Sequence, residues 1–155
     1  MKNSFVTILL ICLTYGLYAK PQFQIFKSNR MDKNGERHGK WKTYWNEGKE
    51  NIYRKGKFKH GLETGKWKYY DELGNLVKTE KYVSNRKIII TKNYFASGKL
   101  ESEGEAHLLN ETDGTLHYFW QGTWKFYNQS DELVREEEYL KGIRVNLNKA
   151  PYHNE

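Results

Sequence analysis

One short pattern recurs along the chain and governs most of what can be read from it. Gly39-Lys40-Trp41-Lys42-Thr43-Tyr44, Gly65-Lys66-Trp67-Lys68-Tyr69-Tyr70 and Gly122-Thr123-Trp124-Lys125-Phe126-Tyr127 are three copies of Gly-x-Trp-x-x-Tyr. A partial copy between the second and the last ends at Tyr94; it lacks the leading Gly and carries Thr91 where Trp would stand. After each Tyr comes a turn-like segment, holding Gly48, Gly74, Gly98 or, in the last copy, Asp131. A second, charged segment follows, and Tyr82 and Tyr139 each stand twelve residues after a repeat Tyr. The repeat tyrosines are 26, 24 and 33 residues apart, the last gap lengthened by an insertion over residues 104–117. Self-similarity at such a period marks architectures whose units cannot bury their own apolar faces and must stack on neighbours.

The local chemistry predicts hairpins. Trp-Lys-x-Tyr alternates apolar and polar residues with many strand formers. Asn46-Glu47-Gly48-Lys49, Glu72-Leu73-Gly74-Asn75 and Ala96-Ser97-Gly98-Lys99 place Gly where a tight turn needs positive φ. Lys59-His60-Gly61, Ser84-Asn85-Arg86 and Asn110-Glu111-Thr112-Asp113-Gly114 read as the returns between hairpins. No Pro interrupts residues 22–150. Leu133–Ile143 has some helical amphipathicity, but its place as the second strand of the last unit predicts a strand. Side chains alternate sides along a strand. Trp41, Thr43 and Trp45 therefore share a face, as do Trp67 with Tyr69 and Trp124 with Phe126. Each repeat Tyr falls on the other face with the lysines.

Composition decides whether such a chain can fold. Mean hydropathy is −0.92, which alone points towards disorder. Five Trp, twelve Tyr and seven Phe reverse that reading, since each buried large side chain is worth about 1.5–3 kcal/mol. A thin aromatic core is expected. The net charge of +7 permits attraction to anionic surfaces. The excess is spread along the sequence with no basic block, so it reads first as the solvated face of a sheet.

Residues 1–19 have the three-part shape of a secretory signal: Lys2, the apolar run Phe5–Leu13, and Leu17-Tyr18-Ala19 ending in a small residue. The run is too short to span a bilayer, and no transmembrane helix is expected in the mature chain. Ile11 before Cys12, the chain's one cysteine, argues against a lipid anchor. The expected organisation is a signal over 1–19, an extension over 20–34, a repeat domain over 35–143 and a tail over 144–155. The expected location is outside the cytoplasm, in a periplasm or beyond the cell.

A search for reaction chemistry returns little. His38, His60, His107, His117 and His153 show no spacing typical of zinc ligands. His38 and His60 read as turn residues, and His107 and His117 flank the insertion turn and could meet across it. Glu136-Glu137-Glu138 reads as a charged strand rather than a glycosidase pair, which needs a cleft. Nucleophile-elbow, phosphate-loop and dinucleotide motifs are absent. No metal, no cofactor and no enzymatic activity are expected.

The unit resembles the MORN (membrane occupation and recognition nexus) repeat, in the bacterial variant reading Gly-x-Trp-x-x-Tyr, turn, Gly-Lys-Leu, strand, Tyr-x-x-Gly, over about residues 35–143. The structural positions of that pattern are Gly39, Trp41, Gly48, Gly65, Trp67, Gly74, Gly98, Gly122 and Trp124. The resemblance implies an all-β fold, an antiparallel meander of repeated hairpins forming an elongated, curved single sheet. It also implies an interaction module. Loss of the third Trp makes the sheet near Thr91 the place where regularity is expected to lapse. Repetition and alternation nominate Tyr44, Tyr70, Tyr94 and Tyr127, with Lys42, Lys68 and Lys125, as a binding face for another protein or an anionic envelope surface. Nucleic acid is a poor partner for an exported chain, although interleaved aromatic and basic residues would suit single strands. Two alternatives stand beside this reading. One is a small secreted enzyme or carbohydrate-binding protein acting on envelope polymer. The other is an antitoxin or immunity partner of a toxin, a label some bacterial relatives carry and one that fits poorly with export. Oligomeric state is left open.

Overall fold

A computed structural model describes residues 28–83, 87–110, 112 and 114–145. The expected signal, Cys12, the 84–86 return, Glu111, Asp113 and the tail beyond residue 145 lie outside them. The strands are β1 (Arg30–Met31), β2 (Arg37–Tyr44), β3 (Ile52–Lys59), β4 (Leu62–Tyr70), β5 (Leu76–Val83), β6 (Ile88–Tyr94), β7 (Leu100–Asn110), β8 (Leu116–Tyr127), β9 (Leu133–Leu140) and β10 (Ile143–Val145). They form one antiparallel sheet in chain order, β1 to β10. This is the expected meander, and Leu133–Leu140 is a strand, not a helix. Among the described residues no helix is long and apolar enough to cross a membrane.

Every repeat hairpin carries the same irregularity. Thr43 faces Arg54 but Tyr44 faces Ile52, and Tyr69 faces Lys78 but Tyr70 faces Leu76. Asn93 faces Ser102 but Tyr94 faces Leu100, and Phe126 faces Arg135 but Tyr127 faces Leu133. The returning strand thus holds one extra residue beside each repeat Tyr, a β-bulge, which bends a strand and increases its twist. Repeating the bulge in each hairpin curves the whole sheet. Lys78 Nζ lies 6.0 Å from the Tyr118 ring centroid, although β5 and β8 are three strands apart, about 14 Å on a flat sheet.

The turns follow one plan. Residues 71–74, 95–98 and 128–131 each close with an N–H of the fourth residue on the carbonyl of the first. The fourth residue is left-handed: Gly74 at φ 87°, Gly98 at 82° and Asp131 at 63°. The first turn departs from expectation, because Lys49, not Gly48, takes the left-handed position at φ 59°. That loop is longer, with Trp45 N–H reaching Asn51 O where the others span four residues, so the position moves on by one.

A second irregularity explains the Gly-x-Trp signature. Lys55 faces Lys68 but Lys57 faces Thr64, and Glu103 faces Lys125 but Glu105 faces Gln121. Two extra residues on β4 and on β8 are taken up at Gly65 (φ 66°) and Gly122 (φ 70°), a conformation that suits glycine. The indole that follows then lies over a glycine of the preceding strand. A Cβ on Gly56 would sit 2.2 Å from Trp67 Cδ2, and one on Gly104 would sit 2.5 Å from Trp124 Cδ2. The same excursion stacks Trp120 on Trp124 at 3.6 Å.

In the second and fourth units indole, slot and bulge come together. In the third unit Ile89 replaces the leading Gly, Glu80 faces Thr91, and β5 and β6 pair without a shift. The expected lapse in regularity near Thr91 is therefore not found: with no indole to seat, the ladder there is the more regular one. The aromatic face supplies the core. Trp67, Trp124, Ile89 and Ala106 are fully buried, and Phe58 and Tyr69 nearly so. Trp41, Val77 and Tyr82 pack against Phe58, Trp67 and Tyr69.

Candidate functional site

The face opposite the indoles carries a ladder of residues in register across eight strands. In direct pairing order it reads Lys42, Lys55, Lys68, Thr79, Lys92, Glu103, Lys125 and Glu136. A second row pairs Lys40 with Lys57, and Lys66 with Lys81. With Lys59, eight lysines thus gather on one face of β2–β5, seven of them in four directly opposed Lys–Lys pairs. Strands β2 to β5 hold two acidic residues, Glu63 and Glu80, and both lie on the aromatic face. Beyond β5 the pattern changes sign. Lys92 Nζ lies 2.7 Å from Glu103 and Lys125 Nζ 3.8 Å from Glu136. Among the described residues, Lys42, Lys57, Lys66, Lys68 and Lys81 show no ion pair.

This revises the sequence expectation of a charge spread along the chain. Strand periodicity hides the cluster, because alternate residues and residues on neighbouring strands never form a contiguous block. Lys40, Lys55, Lys57, Lys66 and Lys81 were missed as candidates for that reason. Lys42 and Lys68 belong to the cationic half, whereas Lys125 lies in the neutralised half.

The four repeat tyrosines are half-buried, and three of them engage the preceding strand. Lys55 Nζ sits 4.9 Å from the Tyr70 ring centroid, within cation–π range. Tyr94 Oη lies 3.4 Å from Thr79 Oγ1. Tyr127 Oη donates to Glu103 at 2.9 Å. Lys55, Thr79 and Glu103 are equivalent ladder positions, so each tyrosine braces the row residue of the strand before it. The Glu103 hydrogen bond holds the Tyr127 phenol above its usual range. Glu103 itself is held below the carboxylate range, first by its hydrogen bond to Lys92, which is raised in turn.

The concave, aromatic face holds a different arrangement. Arg54 bonds Glu63 at 2.7 Å, and Tyr82 Oη donates to the same carboxylate. Tyr69 Oη donates to Glu80 at 2.5 Å and Lys78 reaches Glu80 at 2.8 Å. Tyr118 Oη lies 3.2 Å from Thr91 Oγ1. Burial, then the hydrogen bond to a carboxylate, pushes the Tyr69 and Tyr82 phenols far up; burial pushes Tyr118 up to about 12. Both carboxylates are engaged by a cation and a phenol, which suits bracing of a buried face. An open depression of about 420 Å³ at the β8–β10 end is lined by His117, Tyr118, Trp120, Tyr139, Lys141 and Ile143, with no carboxylate among its lining residues.

The histidines divide. His107 and His117 both pack on Phe119. His38 and His60 meet each other and Asp32, an association that spacing along the chain could not reveal.

Comparison with known proteins bears on the repeat itself. The family model described as the MORN repeat variant matches residues 63–84, which cover the β4–β5 hairpin with Trp67, Tyr70 and Gly74. No curated protein and no solved structure matches the chain. MORN repeats are generally non-catalytic. The matched hairpin shares its β-bulge with the other three repeat hairpins, and the match supports reading the unit as a MORN-variant repeat.

Proposed function

We propose that the chain is an exported, non-catalytic interaction module that docks through the lysine face of β2–β5 on an anionic surface of the cell envelope. The carrying observation is the set of four directly opposed Lys–Lys pairs, with no acid on that face among the residues of strands β2–β5. Like charges opposite each other across strands are destabilising by about 0.2–1 kcal/mol per pair. The β6–β9 half shows that the same repeat accommodates Lys–Glu pairing at equivalent positions. A partner that brings negative charge offsets the repulsion and gains from the concentrated positive potential. The signal-like residues 1–19 support the exported location. The docking face is the lysine field, flanked by Tyr44 and Tyr70, rather than the whole tyrosine stripe.

The test is sedimentation of the protein with vesicles of zwitterionic lipid and with vesicles also containing anionic phospholipid, alongside retention on heparin. Binding to an anionic probe that weakens with added salt is expected. Lys55→Gln with Lys68→Gln should abolish it, and Lys125→Gln should leave it intact. Equal loss with Lys125→Gln, or no binding to any anionic probe, would overturn the assignment.

A further inference from the structure

We propose that Asp32, His38 and His60 form a binding site for a divalent transition-metal ion of the zinc, nickel and copper class, at the N-terminal margin of the sheet. The three residues come from three segments: the β1–β2 turn, strand β2 and the β3–β4 turn. One donor atom from each lies within 4.8 Å of the others. The site is independent of the lysine face and stands or falls apart from it.

The surrounding backbone holds these groups in place. Asp32 Oδ1 accepts the N–H groups of Asn34 at 2.9 Å and Glu36 at 3.0 Å, which leaves Oδ2 aimed at His60 Nδ1, 2.8 Å away. Gly61 N–H donates to Arg37 O at 3.0 Å and His60 N–H points to His38 Nδ1 at 3.5 Å, pinning the β3–β4 turn to β2. His60 sits at φ 49°, a conformation uncommon for a residue with a side chain. Lys141 takes the same angle before Gly142, so this conformation belongs to the return turn, which here presents an imidazole. The His38 and His60 ring centroids are 5.0 Å apart.

The donor set selects the ion. Two imidazoles and one carboxylate suit zinc, nickel or copper rather than calcium or magnesium, which favour all-oxygen sites. Donors about 2.1 Å from a tetrahedral ion lie about 3.4 Å apart. The His60 side chain is 58% exposed, so a turn about its side-chain bonds closes the remaining distance without displacing buried groups. Three protein donors leave a tetrahedral ion one open position, fit for an anionic group.

The test is titration of the full chain, carrying Cys12→Ser to remove its thiol, with Zn²⁺ by calorimetry and by imidazole NMR. One equivalent should bind at micromolar or tighter concentration, shifting the His38 and His60 resonances and leaving those of His107 and His117 in place. His38→Ala and His60→Ala should abolish that binding, and Asp32→Asn, which removes the anionic donor, should weaken it. No heat and no imidazole shift would overturn the proposal, as would shifts confined to other histidines; the cluster would then be only a hydrogen-bonded clamp on the turn. The NMR readout uses the native triad, so a variant that fails to fold does not blur the result.

Discussion

Gly56→Ala tests the idea that the repeat is built around an indole lying on bare backbone. The added methyl would stand 2.2, 2.4 and 2.6 Å from Cδ2, Cε2 and Cγ of Trp67. Ordinary contact begins near 3.4 Å, so ring and backbone must part by about 1 Å. The indole has nowhere to go. It is fully buried, edge-on to Phe58 at 4.9 Å, with the Arg54 guanidinium 4.9 Å from its ring. Overpacking of this kind costs about 1–3 kcal/mol, and expelling a buried Trp costs about 3–5 kcal/mol. The expected destabilisation is about 3 kcal/mol, or roughly 10 °C in Tm. Urea unfolding followed by far-ultraviolet circular dichroism measures it without depending on Trp67 emission. Gly104→Ala should match it through Trp124, whereas Gly35→Ala should cost only about 1–2 kcal/mol of backbone strain, since nothing lies within 4 Å of its Cβ position. Replacing Trp67 by Leu in the Gly56→Ala background should restore part of the loss. A change of less than about 0.5 kcal/mol for Gly56→Ala, or strict additivity with Trp67→Leu, would refute the reasoning.

Lys55 stands between Lys42 and Lys68, so Lys55→Glu should stabilise the fold by up to about 1 kcal/mol at low ionic strength; the gain should shrink with salt in parallel urea titrations. Glu80→Ala should destabilise by about 3 kcal/mol in a thermal melt, because it strands the Lys78 ammonium and the Tyr69 hydroxyl on the buried face. Glu103 has a carboxyl held below its unfolded value, first by Lys92, so its contribution is present above the ordinary carboxylate range and lost as pH falls through its lowered value; Glu103→Gln should flatten the acid limb of a stability–pH curve. Tyr118 is shifted the other way, to about 12, so its contribution is present below the ordinary phenol range near 10 and lost as pH rises towards 12; absorbance at alkaline pH should show Tyr118→Phe removing one late-titrating phenol.

Much of the fold was legible in the chain because strand periodicity and turn chemistry are local. The pattern of Trp41, Trp67 and Trp124 with the repeat tyrosines marks the strands, and their faces follow from alternation alone. Gly74 and Gly98 mark turns for a reason any sequence shows, the freedom to take positive φ. The slip at Gly48 came from a longer loop, which shifts a left-handed position by one without altering composition. Gly56 and Gly104 carried no signal, since their role depends on an indole from another strand crossing them.

The candidate site divides the same way. The sequence alone determined that Lys42 and Lys68 point away from the indoles, because side-chain direction is set within a strand. Only the tertiary structure decided that Lys40, Lys55, Lys57, Lys66 and Lys81 join them while Glu103 and Glu136 neutralise the other half. Only it brought Asp32, His38 and His60 together across three segments. Charge repulsion and metal coordination act through space, and which residues meet across strands is set by pairing register and bulges.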